Sequence, residues 1–585
     1  VALVHDRPVL GGNASSEIRV SISGADSRFK DARETGILEE LRLEDRFRNH
    51  DPDVNGETNS IWDMILWEWV TREPNLKLYL NTPASHAVMK DPATIEAIIA
   101  RQMDTEKELR LEGRIFIDSS GDGCIAYSAG ADFRMGREAR DEFNESIAPE
   151  VADKLTLGSS LLFESKDMGR PIKFTPPEWA YDYPSDDDLP FRNHSRITSG
   201  FWWIEYGGEL DTIGDNDRIR DELWKVLFGV WDHIKNHGDH GAENYALDWV
   251  GALPGKRESR RFMGDHVLTQ NDIQSTRLFP DRVAYGGWSI DLHPAKGIYS
   301  PGKPATFNGF PKIYSIPFRC LYSRNISNLM MAGRNISTTH VAFGSTRVMA
   351  TCAIEGQAVG TAASLCKKHN VLPRDIYEKH ISELQQQLLK DGCYIIDMRN
   401  EDEADLARKA SVTACSSDSP QHSPQNVVNG VARSEEGKPN VWVSASGEPM
   451  PQYIDLDFGK EEEFNTVYLT FDTNLNKLPH LGAAPECVKD YALYFHSSRG
   501  MGDSPHSSRG MGDSPHSSRG MGDFPHNGSS WVNILTVKDN HHRRRKHRFD
   551  QVAAHPVVAR KLRIEVQATN GADTARIYEV RVYNE

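Results

Sequence analysis

The chain has 585 residues and a formal net charge of -16 at pH 7. It is too long for one ordinary domain and too acidic for a general nucleic-acid binder, which needs a basic face against phosphate. Hydrophobic residues at 38% and charged residues at 26% are ordinary for a globular protein, and no apolar run approaches the ~18 residues that span a bilayer.

In chain order, residues 1–4 read as a buried strand that Gly11 and Gly12 then break. The opening on a strand, with no initiator Met, reads as a truncation, so any leader would lie upstream. Ile61, Ile65 and Trp69 share one helical face, flanked by Trp62 and Leu66, and this stripe is read as core rather than a cofactor contact. Strand-like runs follow at 76–80, 86–89, 95–100 and 115–118, the last ahead of a Gly-Asp-Gly turn. Residues 155–320 are rich in Trp, Gly and Pro and show little simple periodicity. Residues 329–332 form another strand, followed by Gly333, a polar loop, and a helix from about Ser345 to Lys368. Interleaved strands and helices predict an α/β core with an inserted domain.

After about residue 400, short alternating runs at 452–458, 466–471, 561–566 and 576–582 are bounded by Gly, Asn, Asp and Pro. That pattern predicts an antiparallel β-sandwich. Residues 410–425, rich in Ser and Pro, are either its linker or its first loop. The basic run HHRRRKHR at 541–548 is expected to be a solvated hairpin tip. The unit HSSRGMGDSP begins at His496, recurs at His506 and returns at His516 with Phe524 in place of Ser. Its composition cannot bury a core, so a flexible loop is expected, and histidines ten apart make a poor preformed metal site. The seven cysteines are widely spaced and form no CxxC pair, so neither a zinc site nor a disulfide framework is signalled.

Three blocks carry chemistry. In the first, Val1-Ala-Leu-Val-His5-Asp6-Arg-Pro-Val-Leu-Gly11-Gly12-Asn13 looks like the second strand of a dinucleotide-binding βαβ unit. A polar residue at that strand's end meets the adenosine ribose, a role for either His5 or Asp6, and the two glycines let backbone pass close to a cofactor. The second block, Phe116-Ile-Asp118-Ser-Ser-Gly121-Asp122-Gly123, is a strand ending in a tight glycine turn. It either returns the chain to the cofactor or is an ordinary strand-to-helix turn with Asp122 as N-cap. The third runs Met331-Ala-Gly333-Arg334-Asn-Ile-Ser337-Thr-Thr-His340, then Gly344-Ser345-Thr-Arg347, into a helix with small residues at Ala350, Ala353, Gly356, Ala358, Gly360 and Ala363. A helix N-terminus near Ser345 offers free N–H groups and a partial positive charge, suited to the negative charge near N1 and O2 of a reduced flavin. Simple small-residue packing is the alternative.

In this order and spacing the blocks resemble a bacterial family of FAD-dependent oxidoreductases built on the glutathione-reductase-type flavin fold. Trp249-Val-Gly-Ala-Leu-Pro-Gly-Lys-Arg-Glu-Ser-Arg-Arg261 is similar to the family's RESRR segment, and Gly286-Gly-Trp-Ser-Ile-Asp-Leu-His293 and Ile316-Pro-Phe-Arg319 resemble further family blocks. The resemblance covers about residues 1–400 and implies FAD as cofactor, with the family's GxGxxG loop upstream of residue 1. Arg334 stands where many related flavoproteins place an acidic residue for the ribityl chain. Towards the C-terminus, Asn426-Val-Val-Asn-Gly430 with Trp442, residues 452–459, and Ala575-Arg-Ile-Tyr-Glu-Val-Arg-Val-Tyr583 resemble the discoidin or coagulation-factor C-type sandwich, often a carbohydrate-binding module.

The expected architecture is therefore an α/β FAD-binding (Rossmann-like) domain at 1–155 and 321–400, interrupted by an inserted α+β substrate domain at 156–320. An all-β sandwich (jelly-roll, galactose-binding-like) follows at 405–585, with the repeat loop at 496–525.

Flavin oxidation of an alcohol needs a C–H aimed at N5 and a base for the hydroxyl proton. His340, in the cofactor loop, is the first candidate base, with a bare hydrogen-bonding role as the alternative, and His293 is the second. Arg257, Arg260 and Arg261 either clamp an anionic or polyhydroxy substrate or belong to a salt-bridged structural strand at 256–261. Arg347 pairs with the cofactor or a substrate carboxylate. The leading expectation is an FAD-dependent oxidoreductase acting on a carbohydrate or related polyol. Its substrate is a small molecule or glycan, with no nucleic-acid partner, membrane span or metal, and a periplasmic or secreted setting is favoured over a cytoplasmic one. The rivals are a flavoprotein that completes a net non-redox glycan step through a transient ketone, and a glycan-binding protein with an inert oxidoreductase half.

Overall fold

Parallel strand pairs organise the N-terminal part of the chain. Ala2–Val4 pairs with Lys77–Tyr79, and Phe116–Asp118 pairs with Leu329–Met331. Parallel neighbours require a crossover, and the first crossover carries the helices Ile37–Arg48 and Ser60–Thr71. Asn59 caps the second of these by accepting the amides of Ile61 and Trp62. Trp62 and Ile65 are buried there against Leu41, with Ile61, Leu66 and Trp69 packed round them. The strand at 2–4 is less buried than its apolar sequence suggests, with Val1 90% exposed, because Lys77–Tyr79 is its one strand neighbour among the described residues.

The computed structural model describes residues 1–49, 58–496, 531–549 and 556–585. The chain forms two units, Val1–Met398 with His480–Gly482, and Arg399–Pro479 with Ala483–Glu585. Among the described residues, no helix is long and apolar enough to cross a membrane.

In the first unit, the strand Leu329–Met331 feeds a polar loop and then two helices, His340–Thr346 and Met349–His369. A single helix from about Ser345 was expected. The break falls at Val348, which is extended (φ -70°, ψ 144°), because the two helices pack on different strands. Gly344 lets the first helix approach the strand Ile290–Leu292, where a Cβ would lie 2.9 Å from the Asp291 carbonyl oxygen. The second packs on the strand Arg282–Gly286.

A separate apolar cluster fills much of 161–298. Its axis is the 21-residue helix Asn216–Asn236, which buries Ile219, Leu223, Val226, Leu227, Val230, Trp231 and Ile234. This helix packs near an antiparallel sheet whose middle strand is Phe163–Asp167, between Ser199–Gly200 and Tyr245–Val250.

The second unit is a pair of antiparallel sheets around one apolar core. The five-stranded sheet runs Ser411–Ala414, Gln452–Phe464, Val557–Thr569, Val488–His496, Trp531–Val537. The four-stranded sheet runs Trp442–Val443, Arg576–Tyr583, Thr466–Phe471, Arg544–Arg548. Period-two alternation sends Ile454 and Leu456 of one sheet and Val467, Leu469 and Phe471 of the other into that core. Residues 410–425 thus hold the first strand of the sandwich. The basic run is not a hairpin tip, since Arg544–Arg548 is an edge strand paired with Thr466–Phe471. Charge is tolerated at an edge, and the stems are used: Arg544 and Lys546 lie 4.9 and 5.1 Å from the Tyr468 ring. The repeats after His496 lie outside the described residues.

Candidate active site

The glycine turn after the strand Phe116–Asp118 is shaped by its first acid. Asp118 Oδ2 accepts the Ile125 and Ala126 amides at 3.0 and 2.8 Å, while Oδ1 accepts from Ser120. Asp118, not Asp122, therefore holds the amides that open the helix Cys124–Ser128, whose N-cap position is Gly123. Glycine is required at Gly123, which has φ +67° and where a Cβ would sit 1.9 Å from Phe262. At Gly121 (φ +78°) a Cβ would lie 2.5 Å from the Arg334 guanidinium.

Freed from capping, Asp122 accepts from Lys256 Nζ (2.6 Å), Ser259 Oγ (2.8 Å) and Arg334 (3.3 Å). Burial pushes its pKa up, but Arg334 and Lys256 outweigh this and hold it below the usual carboxylate range. Asn13 Nδ2 donates to the Lys256 carbonyl at 3.0 Å. Arg334 also donates to the Arg257 carbonyl at 3.2 Å, so the first, second and third blocks meet at residues 256–257.

The next residues spread from that point. Arg257 donates to Ser160 Oγ (2.8 Å) and the Trp202 carbonyl (2.9 Å), with Glu205 3.6 Å away. Arg260 stacks over the Tyr127 ring at 3.8 Å. Arg261 is fully buried among Glu258, Glu138 (2.8 Å), the Gly136 carbonyl (2.7 Å) and the Thr338 carbonyl (3.1 Å). Only Arg261–Phe262 of this segment is strand.

His340 opens its helix behind the Thr339 cap, and Thr339 Oγ also donates to Glu145 at 2.6 Å. The His340 amide donates to Glu138 at 2.8 Å, and its Nδ1 lies 3.0 Å from the Glu258 carboxylate. A carboxylate only accepts, so Nδ1 carries the hydrogen and a neutral ring presents its lone pair at Nε2. Glu258 also accepts the Leu157 amide at 2.9 Å. It is fully buried, and His340 and Arg261 overcome that burial to keep it below the usual carboxylate range.

His293 is differently placed, with both ring nitrogens engaged. Nδ1 is 2.5 Å from Glu205, and Nε2 is 3.2 Å from both Asp291 and Arg347. Asp291 is drawn down to about 2, with Arg347 and His293 outweighing its burial. Arg347 donates to Asp291 at 2.7 Å, and its buried Nε meets no partner among the described residues.

The remaining positions scatter around these two networks. His5 pairs through its backbone with Tyr79 and Thr82, its buried Nε2 meets no partner among the described residues, and burial holds its imidazole below the ordinary value. Asp6 is 64% exposed. Gly11 has φ +110°, and a Cβ there would lie 2.0 Å from the Ala14 carbonyl oxygen. Gly12 is left-handed as well, at φ +62°. The Gly333 amide donates to Glu355 at 2.9 Å, and the buried Ser337 and Thr338 hydroxyls meet no partner among the described residues. Ser345 lies inside the helix His340–Thr346 and so opens no helix end; its hydroxyl bonds Tyr314 and the Trp288 carbonyl. The acids Glu138, Glu205, Glu258, Asp291 and Glu355 were missed by sequence reasoning. Two of them had a signal: Glu258 is the lone acid in the run Lys256-Arg257-Glu258-Ser259-Arg260-Arg261, and Glu205 closes the aromatic run Trp202-Trp203-Ile204.

Residues 1–388 match the family described as FAD dependent oxidoreductase, and the chain belongs to that family. It is an FAD-dependent oxidoreductase, with FAD as its cofactor. No curated protein matches the chain. Three solved structures similar to part of it are carbohydrate-binding modules. Chitosan-binding module 1 of a chitosanase/glucanase from Paenibacillus sp. IK-5 is 16% identical, with a TM-score of 0.20, covering 31% of this chain and 98% of that one. The family 32 module of C. perfringens NanJ, in complex with galactose, is 12% identical (TM-score 0.20; 31% and 97%). The family 32 module of Streptococcus pneumoniae EndoD is 16% identical (TM-score 0.21; 30% and 98%).

Proposed function

We propose that the protein oxidises an alcohol of a carbohydrate or related polyol, with His340 taking the hydroxyl proton. The observation that carries this reading is the His340–Glu258 pair, in which the acid fixes the tautomer and leaves Nε2 as the base. His293, with both nitrogens held, is a positioning residue that orders Glu205, Asp291 and Arg347. Arg257 and Arg347 are the cations placed to meet substrate oxygen, and Arg260 shapes the site from its stack on Tyr127. The polyol class rests on the resemblance of the C-terminal region to carbohydrate-binding sandwiches.

The residues present fit FAD. Bound FAD supplies a two-electron acceptor that no side chain offers. Around it the chain offers left-handed glycines at Gly12, Gly121, Gly123 and Gly333, and buried hydroxyls at Ser337 and Thr338 without protein partners. Burial pushes the Glu355 carboxyl well above the usual carboxylate range, which favours its protonated form, and its Oε1 meets no partner among the described residues. Val348 leaves the N-terminus of Met349–His369 without a side-chain cap, which suits a negative flavin edge. We assign the ribose contact to His5, whose Nε2 is buried and unpartnered, ahead of Asp6.

The test is anaerobic stopped-flow bleaching of the FAD-loaded protein against a panel of sugars and polyols. A substrate should bleach the parent, and His340→Gln should retain FAD yet lose about 10²- to 10⁴-fold in bleaching rate, with the residual rate rising with pH. Equal rates for parent and variant would remove His340 as the base.

A further inference from the structure

Apart from the residues that meet at 256–261, three histidines and an aspartate converge within the cluster built on Asn216–Asn236. His233 lies in the last turn of that helix, His240 in the loop beyond it, Asp186 at the start of the short turn Asp186–Asp188, and His194 in the segment that follows. His233 is fully buried, His194 and His240 nearly so, and Asp186 is 76% exposed. Asp186 Oδ1 stands 3.2, 3.0 and 3.9 Å from Nε2 of His194, His233 and His240, and the last two nitrogens are 3.1 Å apart. All four ligand atoms lie within 4.8 Å of one another.

Proton bookkeeping shows what this convergence lacks. His194 Nδ1 is 2.8 Å from the Arg192 carbonyl oxygen, and His233 Nδ1 is 2.7 Å from that of Tyr183. A carbonyl only accepts, so both Nδ1 atoms carry hydrogen, and in neutral rings both Nε2 atoms present lone pairs. Those lone pairs face a carboxylate oxygen, which also only accepts. Protonating both rings instead would put two cations at 5.0 Å between ring centroids. One cation at the convergence resolves the conflict. The backbone carbonyls behind His194 and His233 are the outer partners that metal-bound imidazoles use to fix tautomer and aim.

We propose that Asp186, His194, His233 and His240 form a zinc site. A tetrahedral ion with bonds of 2.0–2.1 Å sets its ligand atoms about 3.3 Å apart, and the observed contacts bracket that spacing. Three imidazoles with one carboxylate select zinc over magnesium or calcium, which take oxygen donors. The negative end of the helix dipole at His233 adds a favourable term. Four protein ligands make the site structural: it ties residues 186–194 to the end of the helix and to the loop after it.

The experiment uses the full chain, stripped with a chelator and titrated with zinc alone. One zinc per chain should remain after gel filtration, and cobalt(II) in its place should give the intense visible bands of tetrahedral coordination. His240→Ala and Asp186→Asn, which alter a loop and an exposed carboxylate, should weaken zinc binding by on the order of 10- to 100-fold or more. His422→Gln, a control at a histidine paired with Asp418 in the second unit, should bind as the parent does. No stoichiometric zinc in the parent, an octahedral cobalt spectrum, or undiminished binding by both ligand variants would overturn the proposal.

Discussion

In the first unit Arg33 pairs with Glu39 where both side chains are wholly buried, and Arg261, Glu138, Glu258 and His340 form a second buried charged group. The second unit instead fills its interior with Trp442, Ile454, Leu456, Phe464, Leu469 and Phe471, and stands ion pairs such as Arg563–Asp455 and Arg560–Asp457 on strand faces. Taking a charge out of water costs several kcal/mol, and an apolar replacement of equal volume is often at least as stable. Stability alone thus gives no reason to concentrate buried acids around His340 and His293, and such clusters are where chemistry is arranged. The sandwich keeps an apolar core and sets pairs such as Arg563–Asp455 nearer to water, although it too buries one pair, Arg581–Glu579, at 3% and 7% exposure. Substitutions that remove one partner should therefore separate the two units by size and by kind of effect.

The largest effect is expected at Glu258. Glu258→Ala leaves Arg261 buried without one of its acids and leaves His340 without its tautomer-fixing partner. Breaking a buried pair in this way costs about 3–5 kcal/mol. The expected outcome is a lower melting temperature for the first unit together with slower flavin bleaching. Glu258→Gln keeps the shape but removes the charge, so it should recover part of the stability and little of the rate. A Gln variant with parental rate would detach Glu258 from catalysis.

How much of this could be read from the sequence follows from range. Alternation over 466–471 named a strand of the sandwich because each residue's environment is set by its own face. Flavin-unit strands of only three residues, such as Phe116–Asp118, were legible through their glycine turn rather than through periodicity. The helix Asn216–Asn236 was passed over although Ile219, Leu223, Val226, Leu227, Val230 and Ile234 recur at helical spacing, because Trp and Gly on either side masked the period. His340 could be picked out from its motif. Its partner Glu258 lies 82 residues away, and no local pattern couples them. The same holds for Asp186, His194, His233 and His240, whose spacing matches no short metal motif.

Trp442→Ala tests the other side of the comparison. Trp442 is fully buried in the sandwich, so truncation should cost about 3–5 kcal/mol from lost burial and the cavity left behind. Differential scanning calorimetry should show the loss in the transition of the second unit, with flavin bleaching unchanged. Loss of bleaching would couple the sandwich to the flavin chemistry.

Glu34 sharpens the contrast through pH. It is wholly buried, accepts the Ala25 amide at 2.8 Å with Oε1, and has no partner for Oε2 among the described residues. Burial raises its pKa from 4.5 to about 7. The folded state therefore holds a proton that the unfolded state releases, and stability falls as pH rises from about 4.5 to about 7. The shift corresponds to about 3 kcal/mol. Glu34→Gln should flatten this part of the profile, so the difference in unfolding free energy between variant and parent should grow over that window and stay constant above it. A difference independent of pH would show that Glu34 titrates normally.

The smallest effect belongs to Arg563–Asp455 in the sandwich. The pair is bidentate, at 2.7 and 2.8 Å, and joins directly opposed residues of neighbouring strands. That geometry favours a measurable contribution, but Arg563 is 21% exposed and also lies 3.8 Å over the Tyr453 ring and 4.4 Å from that of Trp531. After Asp455→Asn the guanidinium keeps both aromatic contacts and an amide oxygen to donate to, so only the ionic part is lost. The expected cost is about 1 kcal/mol or less in urea unfolding, shrinking as salt is raised because water and ions reach the pair. A salt-independent loss as large as that of Glu258→Ala would mean that this strand-face pair behaves as a desolvated one, and its contrast with the buried group around Glu258 would fail.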